Sequence, residues 1–441
     1  MEADSEFLDM WLAGGILLAA YALIFSERVH RTYAAIAGAV VMVGVGSWRG
    51  FYSQEGALLS IDANTILLLM GMMMLIAMLR PTGAFEYLGI RLAKLSGGSP
   101  RLLLVYLGLA VSLLSMILDN VTTVIIFAPL TVLVTRLLNL NPAPYLIAEA
   151  MLSNIGGAAT LVGDPPNIMI GSAADIDFVT FLVNMAPLVV PPWLGTMALL
   201  LLLFRRELRP LSGDPVQVDL NETKAIRDHV QLRRILLALG LVIVLFFLHH
   251  RLDYYPAFVS LIGLALGLVL IRPHPEKLME EVEWSVLLFF AALFVLVGGV
   301  EGSGLLDLIG TYLASIAQEP GMMLITALLL MWVAALLSAL VDNIPFTVTM
   351  IPIVGALAME GLDVYPLWWA LAIGVGLGGN GTHIGATANI ICVAEAERSG
   401  LPEARITPLQ WLRVGLPVVL SGLLLASVAF TTIYASLAWG T

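Results

Sequence analysis

An acid and an amide stand side by side twice in this chain, each time within sequence apolar enough to lie in lipid. Ser115-x3-Asp119-Asn120 leads into an apolar run ending at Pro129, and Ser338-x3-Asp342-Asn343 into one ending at Pro352, at a constant offset of 223. With Thr122, Thr123 and Thr347 nearby, they offer carboxylate, amide and hydroxyl oxygens, a set suited to a proton, a small cation or a hydroxylated solute. Polar groups in such surroundings are costly and point to function by default. Capping of helix ends is the other role open to Asp and Asn, but duplication of both residues in an apolar setting favours binding.

A second pair of segments partners these tips. Residues 154–167 and 378–389 are too rich in glycine, and the first also in Pro165 and Pro166, to continue a regular helix. Unwinding there would bring carbonyls and polar side chains toward the tips. Solute binding is expected from Asn120, Thr122, Gly157, Thr160, Asn167, Asn343, Gly379, Asn380, Thr382 and Asn389. Proton or ion coupling is expected from Asp119, Asp164, Asp342 and His383, the last standing where the first segment has Leu161. Histidine, with an unperturbed pKa of about 6.5, suits a proton carrier.

The elements that must position these residues are membrane helices. Of 441 residues, 59% are hydrophobic and only 12% charged, against about a quarter charged in soluble domains. Apolar runs long enough to cross a bilayer read at about 10–26, 32–47, 64–79, 178–204, 235–249, 256–271, 284–300 and 414–436, with a mixed interfacial stretch at 81–100. Apolar arms at 101–138 and 321–360 meet at the two Asp-Asn tips and read as re-entrant hairpins, because no polar loop surrounds either tip. Broken helices follow at 145–172 and 366–395. The acidic amino terminus lacks the basic start of a cleavable signal.

The order of elements repeats. Asp62 aligns with Glu283 at an offset of 221, and Gly156, Gly157, Thr160, Gly163 and Asn167 align with Gly378, Gly379, Thr382, Gly385 and Asn389 at 222. Residues 1–204 and 235–441 are therefore read as two repeats joined by a polar linker at 205–234. Five crossings per repeat make the halves face opposite ways, the inverted architecture of many secondary transporters, with a site near midplane. With the linker cytoplasmic, only Arg49 and Arg251 of the 21 Lys and Arg fall outside, as the positive-inside rule requires. Both termini then lie outside, and a multi-pass protein of the plasma membrane, the inner membrane of a bacterium, is expected.

Taken together these stretches resemble the ion transporter superfamily, in the branch holding arsenite permeases, the melanosomal P protein and NhaD-type sodium/proton antiporters. The likeness rests on Ser115-x3-Asp119-Asn120-Val121-Thr122-Thr123, Asn154-Ile155-Gly156-Gly157, Gly163-Asp164-Pro165-Pro166-Asn167, Asp342-Asn343-Ile344-Pro345-Phe346 and Gly378-Gly379-Asn380-Gly381-Thr382 with Ala388-Asn389. It spans nearly the whole chain. The resemblance implies a scaffold domain and a transport domain of hairpins and broken helices, often in homodimers.

No Lys or Arg occurs between Arg101 and Arg136, between Arg136 and Arg205, or between Lys277 and Arg398. The site is thus expected to lack a fixed cation from its own elements, which disfavours di- and tricarboxylates. Proton-coupled efflux of arsenite or antimonite is the leading expectation, with Na+/H+ antiport as the alternative. The single Cys392 excludes an intrachain disulfide and a multi-thiolate metal site. An intramembrane enzyme would need a nucleophile in register with His383, which the duplicated half lacks. No enzyme activity, cofactor, metal or nucleic-acid partner is expected, only the bilayer, a small inorganic solute or ion, and a coupling proton or Na+.

Overall fold

The computed structural model describes residues 2–26, 28–209, 222–317, 322–340, 342–401 and 404–438. The middle of the linker, 210–221, and the extreme carboxyl terminus lie outside the described residues. Everything described is helical or loop, in twenty α-helices. The first half comprises α1 (Glu2–Phe25), α2 (Arg31–Arg49), α3 (Gln54–Leu59), α4 (Ala63–Leu79), α5 (Ala84–Leu95), α6 (Pro100–Leu118), α7 (Asn120–Leu137), α8 (Ala143–Gly157), α9 (Pro165–Ala173) and α10 (Phe178–Leu203). The second comprises α11 (His229–Leu248), α12 (Pro256–Ile271), α13 (Pro275–Glu280), α14 (Trp284–Gly302), α15 (Leu305–Ala317), α16 (Met322–Leu340), α17 (Asn343–Met359), α18 (Tyr365–Gly378), α19 (Thr387–Arg398) and α20 (Pro408–Ala438). Among the described residues, nine helices are long and apolar enough to cross a membrane.

Every element of the first half has a counterpart in the second, in the same order. The mixed stretch at 81–100 forms α5, and its counterpart α15 is a helix that the apolar runs alone did not indicate. Helices α1, α2, α4, α11, α12 and α14 pack on one another as one layer, while the hairpins α6–α7 and α16–α17, the broken helices α8–α9 and α18–α19, and α10 with α20 form another. Most of the helices facing outward leave large apolar side chains such as Trp48, Val244 and Val428 exposed, the surface a bilayer covers.

The two hairpins enter from opposite sides. The base of the first lies with the carboxyl end of α19, where Arg136 hydrogen-bonds the Ser399 carbonyl. The base of the second lies with the start of α10, where Phe181 and Tyr365 both pack edge-on against Trp369. The linker docks on the first side: Arg227 donates its backbone N–H to the Thr82 carbonyl at 2.8 Å, and Arg91 and Lys94 clasp Glu222. The Lys94 ammonium beside Glu222 holds its carboxyl below the usual range.

Close backbone approach explains one duplicated glycine pair. A Cβ at Gly156 would sit 2.6 Å from the Ser112 backbone, and one at Gly378 2.4 Å from the Ala335 carbonyl oxygen. These contacts seat each broken helix against the first arm of its hairpin, so each tip is held at the depth of the break. Overpacking of this kind costs about 1–3 kcal/mol. Gly156→Ala and Gly378→Ala should therefore each lower the thermal unfolding midpoint in detergent. Gly240→Ala, where nothing lies within 4 Å, should not. Equal midpoints in all three variants would contradict the packing.

Candidate functional site

Seven residues, 158–164, separate α8 from α9, and 379–386 separate α18 from α19. Each break is folded by the same bonds. Asn167 donates from Nδ2 to the carbonyls of Gly157 and Thr160 at 3.2 and 2.9 Å, and Asn389 does so to Gly379 and Thr382 at 2.7 and 2.9 Å. Thr160 Oγ1 donates to the Met116 carbonyl at 2.6 Å, and Thr382 Oγ1 to that of Ala339 at 2.5 Å. Ser115 and Ser338 complete the set by donating to the Ser153 and Val375 carbonyls. These duplicated hydroxyls and amides tie unwound backbone, which has no partner of its own at this depth, to the neighbouring hairpin arm. Gly157 and Gly163 let the loop close on itself, since a Cβ at Gly157 would lie 2.3 Å from the Gly163 carbonyl oxygen.

The tips divide their labour. Asp119 caps α7, its Oδ1 accepting from the Thr122 N–H at 2.8 Å and its Oδ2 from Thr122 Oγ1 at 2.7 Å. Asp342 similarly accepts from the Ile344 N–H at 3.4 Å. Both acids thus perform the capping role weighed against binding. The amides beside them point inward instead. Asn120 Nδ2 donates to Asp164 Oδ1 at 3.3 Å, and Asn343 Nδ2 lies 3.3 Å from both Asp164 oxygens. Asp164 precedes α9 yet makes no cap bond with its side chain. Its carboxylate is committed to the two amides, one from each repeat, and is only 1% exposed.

Asn154 extends this centre and was not among the expected site residues, although it opens the first glycine-rich segment. Its Oδ1 accepts from Asn120 at 3.1 Å, and its Nδ2 donates to Asn380 Oδ1 at 2.9 Å and Asn389 Oδ1 at 3.0 Å. Asn380 in turn donates to the Met151 carbonyl. One oxygen is left over: Asn120 Oδ1 is buried and has no hydrogen-bond partner. His383 is half-buried within the second break, outside this bonded cluster.

A cation does reach the second tip, from outside the hairpins and broken helices: Arg31. From the start of α2 its Nη1 donates to Asp342 Oδ2 at 2.8 Å and to Thr387 Oγ1 at 2.9 Å, while its guanidinium lies 5.2 Å from the Phe289 ring centre. Asp342 and Arg31 are 311 positions apart, so a search for cations within the hairpins and broken helices passes over it. Among the described residues the first tip has no such partner: the positions matching Asp342 and Thr387 are Asp119 and Pro165. Between the two layers, a cavity of about 270 Å3 opens on the side away from the linker, lined by Asp62, Glu301, Ser172 and Pro352. On the linker side the corresponding space beside Thr122, Arg80 and Glu283 is about 20 Å3.

The profile of a family described as CitMHS, citrate transporter, matches residues 21–374. A 46 kDa membrane protein of Mycobacterium leprae is 40% identical over 423 residues, covering 94% of this chain and 96% of the relative. The human P protein is 33% identical over 490 residues, covering 92% of this chain and 58% of that protein. Among solved structures, the YdaH transporter of Alcanivorax borkumensis, described as having an unusual topology, aligns over 85% of each chain with a TM-score of 0.55 at 18% identity, a likeness of fold.

Removing one bracket should affect either break alike. Asn167→Ala and Asn389→Ala each leave two carbonyls without their donor, at a cost of about 1–3 kcal/mol for buried groups. Thermal unfolding in detergent should show comparable falls for the two variants, and an unchanged midpoint in either would remove that asparagine from the structural role.

Proposed function

Because the chain belongs to the citrate transporter family of the ion transporter superfamily, we propose that this membrane transporter works by cation-coupled secondary transport centred on Asp164. The observation that carries this reading is the grip on Asp164 by Asn120 and Asn343, amides delivered by hairpins that enter from opposite sides. No cationic side chain is bonded to that carboxylate among the described residues. A buried ion without a counter-ion is costly, and a proton or Na+ bound at Asp164 removes the cost. Binding and release of that cation then decide whether the two tips and the break stay closed on one another.

Both solute readings drawn from the sequence use this centre. Arsenous or antimonous acid, neutral and rich in O–H donors, would find acceptors in Asp164 and in the unpartnered Asn120 Oδ1. Na+ prefers oxygen ligands and would find the same two. The geometry favours Na+/H+ exchange, because tips and break already touch through direct 3.3 Å contacts, which a bare ion disturbs least. A carboxylate is the second reading, supported by Arg31. Its side chain is one-quarter exposed in the pair with Asp342, and the guanidinium would donate to a solute carboxylate in place of the Asp342 side chain.

Purified protein in liposomes carrying a trapped pH dye distinguishes these. Na+ added outside should move protons through the wild type, and Asp164→Asn should abolish the response while leaving the thermal midpoint within reach of the parent. Asn120→Ala and Asn343→Ala should each lose transport while still folded. Proton movement on addition of citrate but not Na+, lost in Arg31→Gln, would establish the carboxylate reading; movement with arsenite alone would establish the efflux reading. Unaltered flux in Asp164→Asn would sink all three.

A further inference from the structure

Glu149 is a second buried carboxylate that the Asp164 centre leaves unused. It lies on α8 in the half nearer the linker side, five residues before Asn154, and is 1% exposed. Its Oε1 accepts a hydrogen bond from Thr131 Oγ1 of α7, whereas its Oε2 meets no partner at all. No Lys, Arg or His is bonded to it among the described residues. Of the helices packed on α8, α19 brings the nearest titratable groups, Cys392 against the Ala150 backbone and Glu395 one turn further on, and α7 presents the neutral Thr131. No titratable side chain of α6, α10 or α18 is among its partners.

The repeat supplies an internal control for what the fold requires here. At the offsets that align the halves, Glu149 matches Leu371 and Thr131 matches Val354, both buried. The second repeat therefore carries an apolar pair at the matching positions of its own two helices. The carboxyl in the first repeat is not needed to hold the architecture, and burying it unpaired works against stability. Its position suggests why it is present. Thr135, Thr131, Glu149, Ser153, Asn120 and Asp164 form a buried polar file leading from the linker-side end of α7 to the centre. Thr135 donates to the Thr131 carbonyl and Ser153 to the Asn120 carbonyl, and Ser153 stands one helical turn beyond Glu149, on the same face of α8.

We infer that Glu149 is a second proton-binding site, a station between the linker side and Asp164. The free Oε2 takes up a proton without breaking any existing bond. On transfer, the O–H bond at Glu149 is broken, one is formed at an Asp164 oxygen, Glu149 is left as carboxylate, and one positive charge has moved inward with no change of oxidation state. The inference rests on the proton coupling proposed above.

The test compares wild type, Glu149→Gln, the double variant Glu149→Leu with Thr131→Val, and Asp164→Asn in dye-loaded liposomes across a range of pH. An infrared difference spectrum of each purified protein reports its carboxyl protonation. The double variant copies the pair already used in the second repeat and should fold. Proton-linked flux should fall by about a hundredfold or more in both Glu149 variants, the scale on which a positioned proton-transfer group contributes. One titration step should vanish from the flux profile, and one carboxyl band from the spectrum. Wild-type flux and pH profile in folded Glu149 variants, with Asp164→Asn inactive, would overturn the proposal while leaving the previous reading intact. A wild type that moves no protons would overturn both, and the wild-type trace alone would reveal it.

Discussion

A carboxylate sealed from water must be matched by donors or by a positive charge, and the arrangement around Asp164 answers that demand with two amides and, among the described residues, no fixed cation. Much of the rest of the chain serves to deliver those amides. Each Asn sits at the start of a helix, behind an Asp that caps it, at the end of an arm pinned to a broken helix by Ser, Thr and Asn bonds. If either hairpin entered from the same side as the other, the two amides would not converge on one oxygen pair. The inverted repeat is thus a geometric requirement of the site as well as a relic of duplication.

Against this symmetric frame, the groups that differ between halves stand out. Asp164 is matched by Ala386, Asn154 by Gly376, Asn380 by Ala158, and Glu149 by Leu371. The residues that are duplicated mostly hold backbone in place, whereas those that occur once gather at the centre or lead to it. Duplication identifies the machinery for building two breaks and two tips, and departure from duplication identifies what a single shared site needs. Arg31 belongs to the second group, since it binds the tip of one repeat only.

Much of the architecture was legible in the sequence because its causes are local. Glycine and proline density marks the unwound segments, apolar runs mark the helices, and a fixed offset aligns the halves. The tips at Asp119-Asn120 and Asp342-Asn343 were legible for the same reason. The roles within the site were harder to read, because they depend on direction. Nothing in the order Asp-Asn says that the acid turns back to cap its own helix while the amide faces the centre. Asn154 was hidden in the last turn of a regular helix, where a polar residue carries no local signal of its partners. Arg31 lay beyond any window drawn around the motifs, as a contact between layers must.

The tips also differ in a way that sequence identity conceals. Asp119 adopts φ 78°, a left-handed backbone that a residue with a side chain seldom takes, whereas Asp342 has φ −46°. Strain of this kind costs about 1–3 kcal/mol. That cost falls on the first hairpin alone, so two tips of like sequence are unequal in backbone energy.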